Sequence, residues 1–153
     1  SAVIVGACKS LSIKEFDYGT DGSGAFDLFL KENSNDIYMN GSKVALFTIK
    51  RVPLSIKKLL NKSKINIKHI DKFIFHQASK YVLDKIYKNM KLDKSKIFQN
   101  YKDYGNTVSA SIPIALKLAS KKKYLKNKDQ VILTGFGVGL SWGSVFVKWI
   151  KIN

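Results

Sequence analysis

Short apolar runs alternating with helical periodicities predict an α/β fold. The expected form is a mostly parallel five-stranded sheet with helices on both faces and a C-terminal antiparallel strand. Three observations carry this expectation. Residues 70–75 and 131–134 are compact apolar runs of the kind that form buried strands. Helical spacing follows the first of them, through Val82, Leu83, Ile86, Tyr87 and Met90. The chain then closes on alternation, with Val145, Val147 and Trp149 set against Lys148.

In chain order, residues 2–7 form an apolar run that reads as a buried strand with almost no preamble, as expected of a chain cut from something longer. Residues 11–16 alternate as a half-buried strand does, and residues 17–24 have the composition of a loop. A long helical pattern after Asn40-Gly41-Ser42 contains Pro53, which should kink it or split it. The next strand is Ile97-Phe98, leading directly into a turn with Asn106 at its mouth and a helix over residues 112–124. Residues 144–150 form the last strand.

At 153 residues, with 45% hydrophobic and 12% aromatic side chains, the chain is one domain's worth and can bury a core. No apolar run approaches the roughly 18 residues of a membrane span, and the N-terminus has no basic signal-peptide region. One cysteine cannot make an internal disulfide, which suits a reducing cytoplasmic setting. The net charge is +16, yet Arg51 is the single arginine among 27 basic side chains. Scattered lysines without the arginine fork read as a solvated surface rather than a nucleic-acid site. An acidic protein partner or a nucleotide-bearing ligand remains compatible with that charge.

His76 follows the strand over 70–75, Asn106 follows Ile97-Phe98, and Gly135-Phe136-Gly137-Val138-Gly139 follows the strand over 131–134. One edge of the sheet would then carry an imidazole, a carboxamide and a glycine-rich turn, where open α/β sheets bind ligands. The glycines are not a dinucleotide fingerprint, because the third would fall on Leu140 and a strand follows. Imidazole and carboxamide both donate hydrogen bonds, and backbone amides in such a turn can form an oxyanion hole. That set suits thioester or enolate chemistry but has no nucleophile. Cys8 lies between two strands and lacks the helix terminus that lowers a thiol pKa, so it reads as structural. His69 reads as a surface loop residue.

Three ordered motifs resemble the C-terminal half of β-ketoacyl-acyl carrier protein synthase III, a thiolase-like condensing enzyme. They are Phe75-His76-Gln77-Ala78, the run from Tyr104 through Gly105-Asn106-Thr107 to Pro113, and the run from Gly135 to Ser144. Tyr38-Met39-Asn40-Gly41, leading into the long helix, adds to the match. The resemblance implies a thiolase-like half over residues 1–153, with the cysteine-bearing N-terminal half absent. It implies His76 and Asn106 as two members of a Cys-His-Asn triad, binding the malonyl thioester carbonyl and stabilising the enolate. The amide of Val138 would supply half the oxyanion hole, where the family usually has glycine. Gly41 and Ala78 would line the pantetheine arm, and Gln77, Ser79, Lys80 and Tyr81 would meet the acyl carrier protein. Lys85 and Lys88 add positive charge nearby, whereas Leu46 and Tyr81 stand where relatives carry basic residues.

No metal or bound cofactor is implied; acyl-CoA and phosphopantetheine thioesters would be substrates, and the intact enzyme a cytoplasmic homodimer. The chain alone is expected not to condense, and to expose a face that the other half covers. Two other readings stay open: the same fold acting as an acyltransferase to oxygen or nitrogen acceptors, and a basic nucleic-acid-binding domain.

Overall fold

The computed structural model describes residues 11–150; the expected strand over residues 2–7 and Cys8 lie outside them. The chain runs β1 (Leu11–Thr20), β2 (Leu28–Leu30), β3 (Ile37–Met39), α1 (Gly41–Ser63), β4 (Lys72–Phe75) and α2 (Lys80–Asn89). It continues through β5 (Ile97–Phe98), α3 (Tyr101–Tyr104), α4 (Ser111–Lys121), β6 (Gln130–Gly137) and β7 (Ser141–Trp149). Five strands form one sheet in the order β1-β7-β6-β4-β5, and β2 pairs with β3 in a separate hairpin. β4 is parallel to β5 and β6, while β7 is antiparallel to both β6 and β1. Four strands therefore point one way and β7 alone opposes them, as the alternating pattern predicts.

Strand pleating sends neighbouring side chains to opposite faces, and the buried residues sort accordingly. On one face Phe73, Phe75, Ile97, Ile132 and Phe146 meet Val52, Ile56 and Leu59 of α1 and Leu83 and Ile86 of α2. On the other, Ile74, Phe98, Val131 and Val147 meet Ala115 and Ala119 of α4. Small alanines let α4 lie close to the sheet. Helices thus cover both faces, as expected.

Four local expectations are corrected. The helix α1 passes through Pro53 without splitting, because the ring removes one donor while Val52, Ile56 and Leu59 around it are fully buried. Residues 17–20 continue β1 instead of looping. The Asp17 carboxylate accepts the Ser55 hydroxyl at 2.7 Å, and bare Gly19 leaves room for the Trp142 indole, its cross-strand partner. The glycine stretch is strand rather than turn as far as Gly137: Gly135 pairs with Gly143 and Gly137 with Ser141, and only residues 138–140 turn. Between Phe98 and the Asn106 loop the chain inserts α3, whose last turn is closed by the Gly105 N–H bonding Tyr101.

Candidate active site

The end of β4 delivers His76. Its backbone N–H donates to the Thr134 carbonyl of neighbouring β6 at 2.8 Å, which continues the parallel ladder by one residue and sets where the ring leaves the sheet. Phe136, two residues on in β6, meets the imidazole edge-on with ring centroids 5.1 Å apart. The Nδ1 atom lies 2.6 Å from the Ser111 hydroxyl at the start of α4. Burial pushes the imidazole pKa below its ordinary value, and the backbone of Val108 pushes the other way.

Asn106 arrives by a different route. Gly105 has φ 65° and ψ −160°, a conformation essentially confined to glycine, and this reverses the chain out of α3. The Asn106 Oδ1 then accepts the Val108 N–H at 2.9 Å, closing an Asx turn. Val108 itself sits at φ 51°, unusual for a β-branched side chain. With its oxygen engaged by the backbone, the carboxamide presents its NH₂.

His76 and Asn106 open onto one groove of about 650 Å³. Its walls come from the β2–β3 hairpin (Leu28, Met39), the first turns of α1 (Gly41, Val44, Ala45, Ile49), the start of α2 and Phe136 with Gly137. A mostly apolar groove with an imidazole and a carboxamide in its lining fits an extended, flexible ligand carrying a carbonyl. Of the residues expected from sequence, Gly41, Ala78, Ser79 and Tyr81 line the same groove.

Three expected site residues do not line it. Gln77 is 0% exposed: its Nε2 donates to the Phe75 carbonyl at 2.7 Å and its Oε1 accepts the Asn100 N–H at 2.9 Å. It ties β4 to the entry of α3 and cannot touch a carrier or a pantetheine arm. Gln77→Ala would leave both buried backbone groups unpartnered, with an expected loss of about 3 kcal/mol. Denaturant unfolding would show that loss while carrier affinity of the folded protein stays unchanged. Lys80 pairs with Asp84 one turn along α2 on the exposed helix surface, which raises its pKa. Val138 is 64% exposed, in the turn just beyond the groove-lining Gly137.

The residues that sequence reading passed over are Ser111, Val108 and the hairpin. Ser111 reads as a small residue at a helix start, and its partner lies 35 residues away in sequence. Residues 25–37 carried no motif, yet β2 and the β3 residue Met39 form one wall of the groove.

Residues 60–149 match the family model for the 3-oxoacyl-[acyl-carrier-protein] synthase III C-terminal region. The β-ketoacyl-[acyl-carrier-protein] synthase III of Porphyra umbilicalis is 37% identical over 164 residues, covering 97% of this chain and 50% of the relative. The crystal structure of 3-oxoacyl-(acyl carrier protein) synthase III from Pseudomonas aeruginosa superposes with a TM-score of 0.88 at 31% identity, over 92% of this chain and 45% of that one. The corresponding Aquifex aeolicus structure gives 0.87 at 29%, over 95% and 46%. The chain spans about half the length of the curated relatives it matches. Taken with the sheet order and the groove, these likenesses establish that the chain belongs to the 3-oxoacyl-[acyl-carrier-protein] synthase III family and corresponds to its C-terminal part.

Proposed function

We propose that residues 1–153 form the histidine- and asparagine-bearing C-terminal domain of a decarboxylating condensing enzyme in fatty acid synthesis. The observation that supports this most is that His76 and Asn106 line one mostly apolar groove. A malonyl thioester entering that groove places its carbonyl oxygen between the two donors. Cleavage of the bond to the carboxylate releases carbon dioxide, and the electron pair moves onto that oxygen as an enolate. Two fixed donors stabilise the enolate more than the neutral carbonyl, which is what accelerates the step. The enolate carbon then attacks an acyl-cysteine thioester, with the cysteine supplied by the other half of the enzyme. The Val138 N–H would meet the oxyanion of that second step, and the thiolate leaves as the carbon–sulfur bond breaks.

In this reading the phosphopantetheine arm of an acyl carrier protein runs past Gly41, Ala78, Ser79 and Tyr81, and acyl-CoA primes the cysteine. The whole enzyme works as a cytoplasmic homodimer. Lys80 is held by Asp84, and the exposed Leu46 and Tyr81 replace charge with apolar surface at the mouth. Lys85, whose ammonium lies 5.5 Å from the Tyr81 ring centroid, and Lys88 then supply the attraction for an acidic carrier.

The decisive experiment offers the complete enzyme an acyl-CoA with malonyl-acyl carrier protein, alongside amine and alcohol acceptors, and identifies the products. A 3-oxoacyl thioester with stoichiometric carbon dioxide is the expected outcome. An ester or amide formed without carbon dioxide release assigns the groove to simple acyl transfer instead.

A further inference from the structure

The His76 imidazole is met by the Phe136 ring edge, the Ser111 hydroxyl and the Val108 backbone, and the short serine contact at Nδ1 bears directly on where its proton sits. Ser111 is the first residue of α4 and is only 1% exposed, so its hydroxyl proton must find a partner within the protein. The Val108 carbonyl nearby already accepts the Ser111 backbone N–H. Among the described residues, the Oγ–Nδ1 contact, at 2.6 Å, is the one hydrogen bond the hydroxyl makes. In a neutral ring one nitrogen is a donor and the other an acceptor. Were Nδ1 protonated, Ser111 Oγ would have to accept from it, and the serine proton would then need the second lone pair of the Val108 carbonyl. With the hydroxyl donating to Nδ1, the pair is satisfied and the ring proton resides on Nε2.

We propose that Ser111 is a positioning residue: it donates its hydroxyl proton to His76 Nδ1 and thereby holds the N–H on Nε2, the nitrogen left for the groove. The choice of a hydroxyl is chemically specific. A backbone carbonyl at that place would demand the opposite tautomer, and a carboxylate would favour the imidazolium. Serine alone among these can donate to a neutral ring and rotate to accept if the ring is protonated. The proposal deepens the decarboxylation reading, which needs a donor at Nε2, but its test does not depend on turnover.

The chain has two histidines, and exposed His69 serves as an internal reference for an unconstrained ring. Imidazole ¹⁵N spectra of the histidine-labelled chain above pH 7 should show His76 protonated at Nε2, its tautomer ratio exceeding that of His69 by about tenfold, the worth of one buried hydrogen bond. Ser111→Ala should bring the His76 ratio close to that of His69, and Ser111→Thr, which keeps the hydroxyl, should restore it. A wild-type His76 protonated at Nδ1, or a Ser111→Ala ratio equal to wild type, overturns the proposal. If Ser111→Ala fails to fold, the wild-type ratio and the Ser111→Thr ratio decide it. Failure of the decarboxylation reading would instead appear in the product analysis with these ratios intact.

Discussion

His76→Ala and Asn106→Ala in the complete enzyme are each expected to slow malonyl decarboxylation by about 10²- to 10³-fold, the range for removing one oxyanion-type donor. The more telling variant is Asn106→Asp. An aspartate keeps the oxygen that accepts the Val108 N–H, so the turn that shapes the loop survives. It replaces the NH₂ by an acceptor carrying negative charge, which repels the enolate. Its rate should therefore fall at least as far as that of Asn106→Ala while thermal stability stays near wild type. An Asn106→Asp enzyme that still decarboxylates within tenfold of wild type would remove the carboxamide from the mechanism.

The same ring predicts a pH signature in stability. Burial lowers the folded pKa of His76 below its unfolded value, so the unfolded state binds more protons in acid. The contribution to stability is fully present above the unfolded value, near pH 6.5. It is lost as pH falls from there through the lower folded pKa. Between pH 7 and 5 the thermal midpoint of wild type should fall further than that of His76→Gln. Equal falls would mean that the ring is not desolvated.

How much of this site could be read from residues alone depends on the range of the interaction involved. That His76 and Asn106 reach one groove was legible because both come after short apolar runs that form adjacent strands, β4 and β5, although α3 intervenes before Asn106. Gln77 was misread because a motif gives adjacency without direction. Pleating at the end of β4 turns His76 to the groove and its neighbour into the core, and no composition rule distinguishes the two. The glycines misled for a related reason. In a loop they supply freedom, but here Gly135 pairs with Gly143 and Gly19 accommodates the Trp142 indole, so they mark places where other groups come close within a sheet. Ser111 was beyond reach altogether, because the ring it meets arrives through a fold contact that spacing does not encode.

The 153-residue chain on its own is expected to self-associate and to be inert in condensation, and both follow from one uncovered surface. Along β1 the Asp17 side chain turns to α1, where Ser55 holds it, so Phe16 and Tyr18 on either side turn to the face that carries α4. The helix α4 reaches Ile74, Phe98, Val131 and Val147 but stops short of β1. Phe16 and Tyr18 are left 53% and 75% exposed, stacked at 5.9 Å between centroids. With Ile112, Leu133 and Val145 they line a shallow apolar cleft of about 320 Å³. Covering such aromatic side chains is worth about 2 kcal/mol each, enough to drive association through whatever apolar surface is available. The relatives are about twice this length, and the expected natural cover is the other half, which in the proposed reaction also brings the cysteine. Size-exclusion chromatography of the chain should show dimers or larger species, and Phe16→Lys with Tyr18→Lys should shift it toward monomer. The separately expressed other half should bind the wild-type chain, restore carbon dioxide release from malonyl-acyl carrier protein, and fail to bind the double variant. A wild-type chain that elutes as a single monomer, or that condenses without the other half, would show that this face needs no cover.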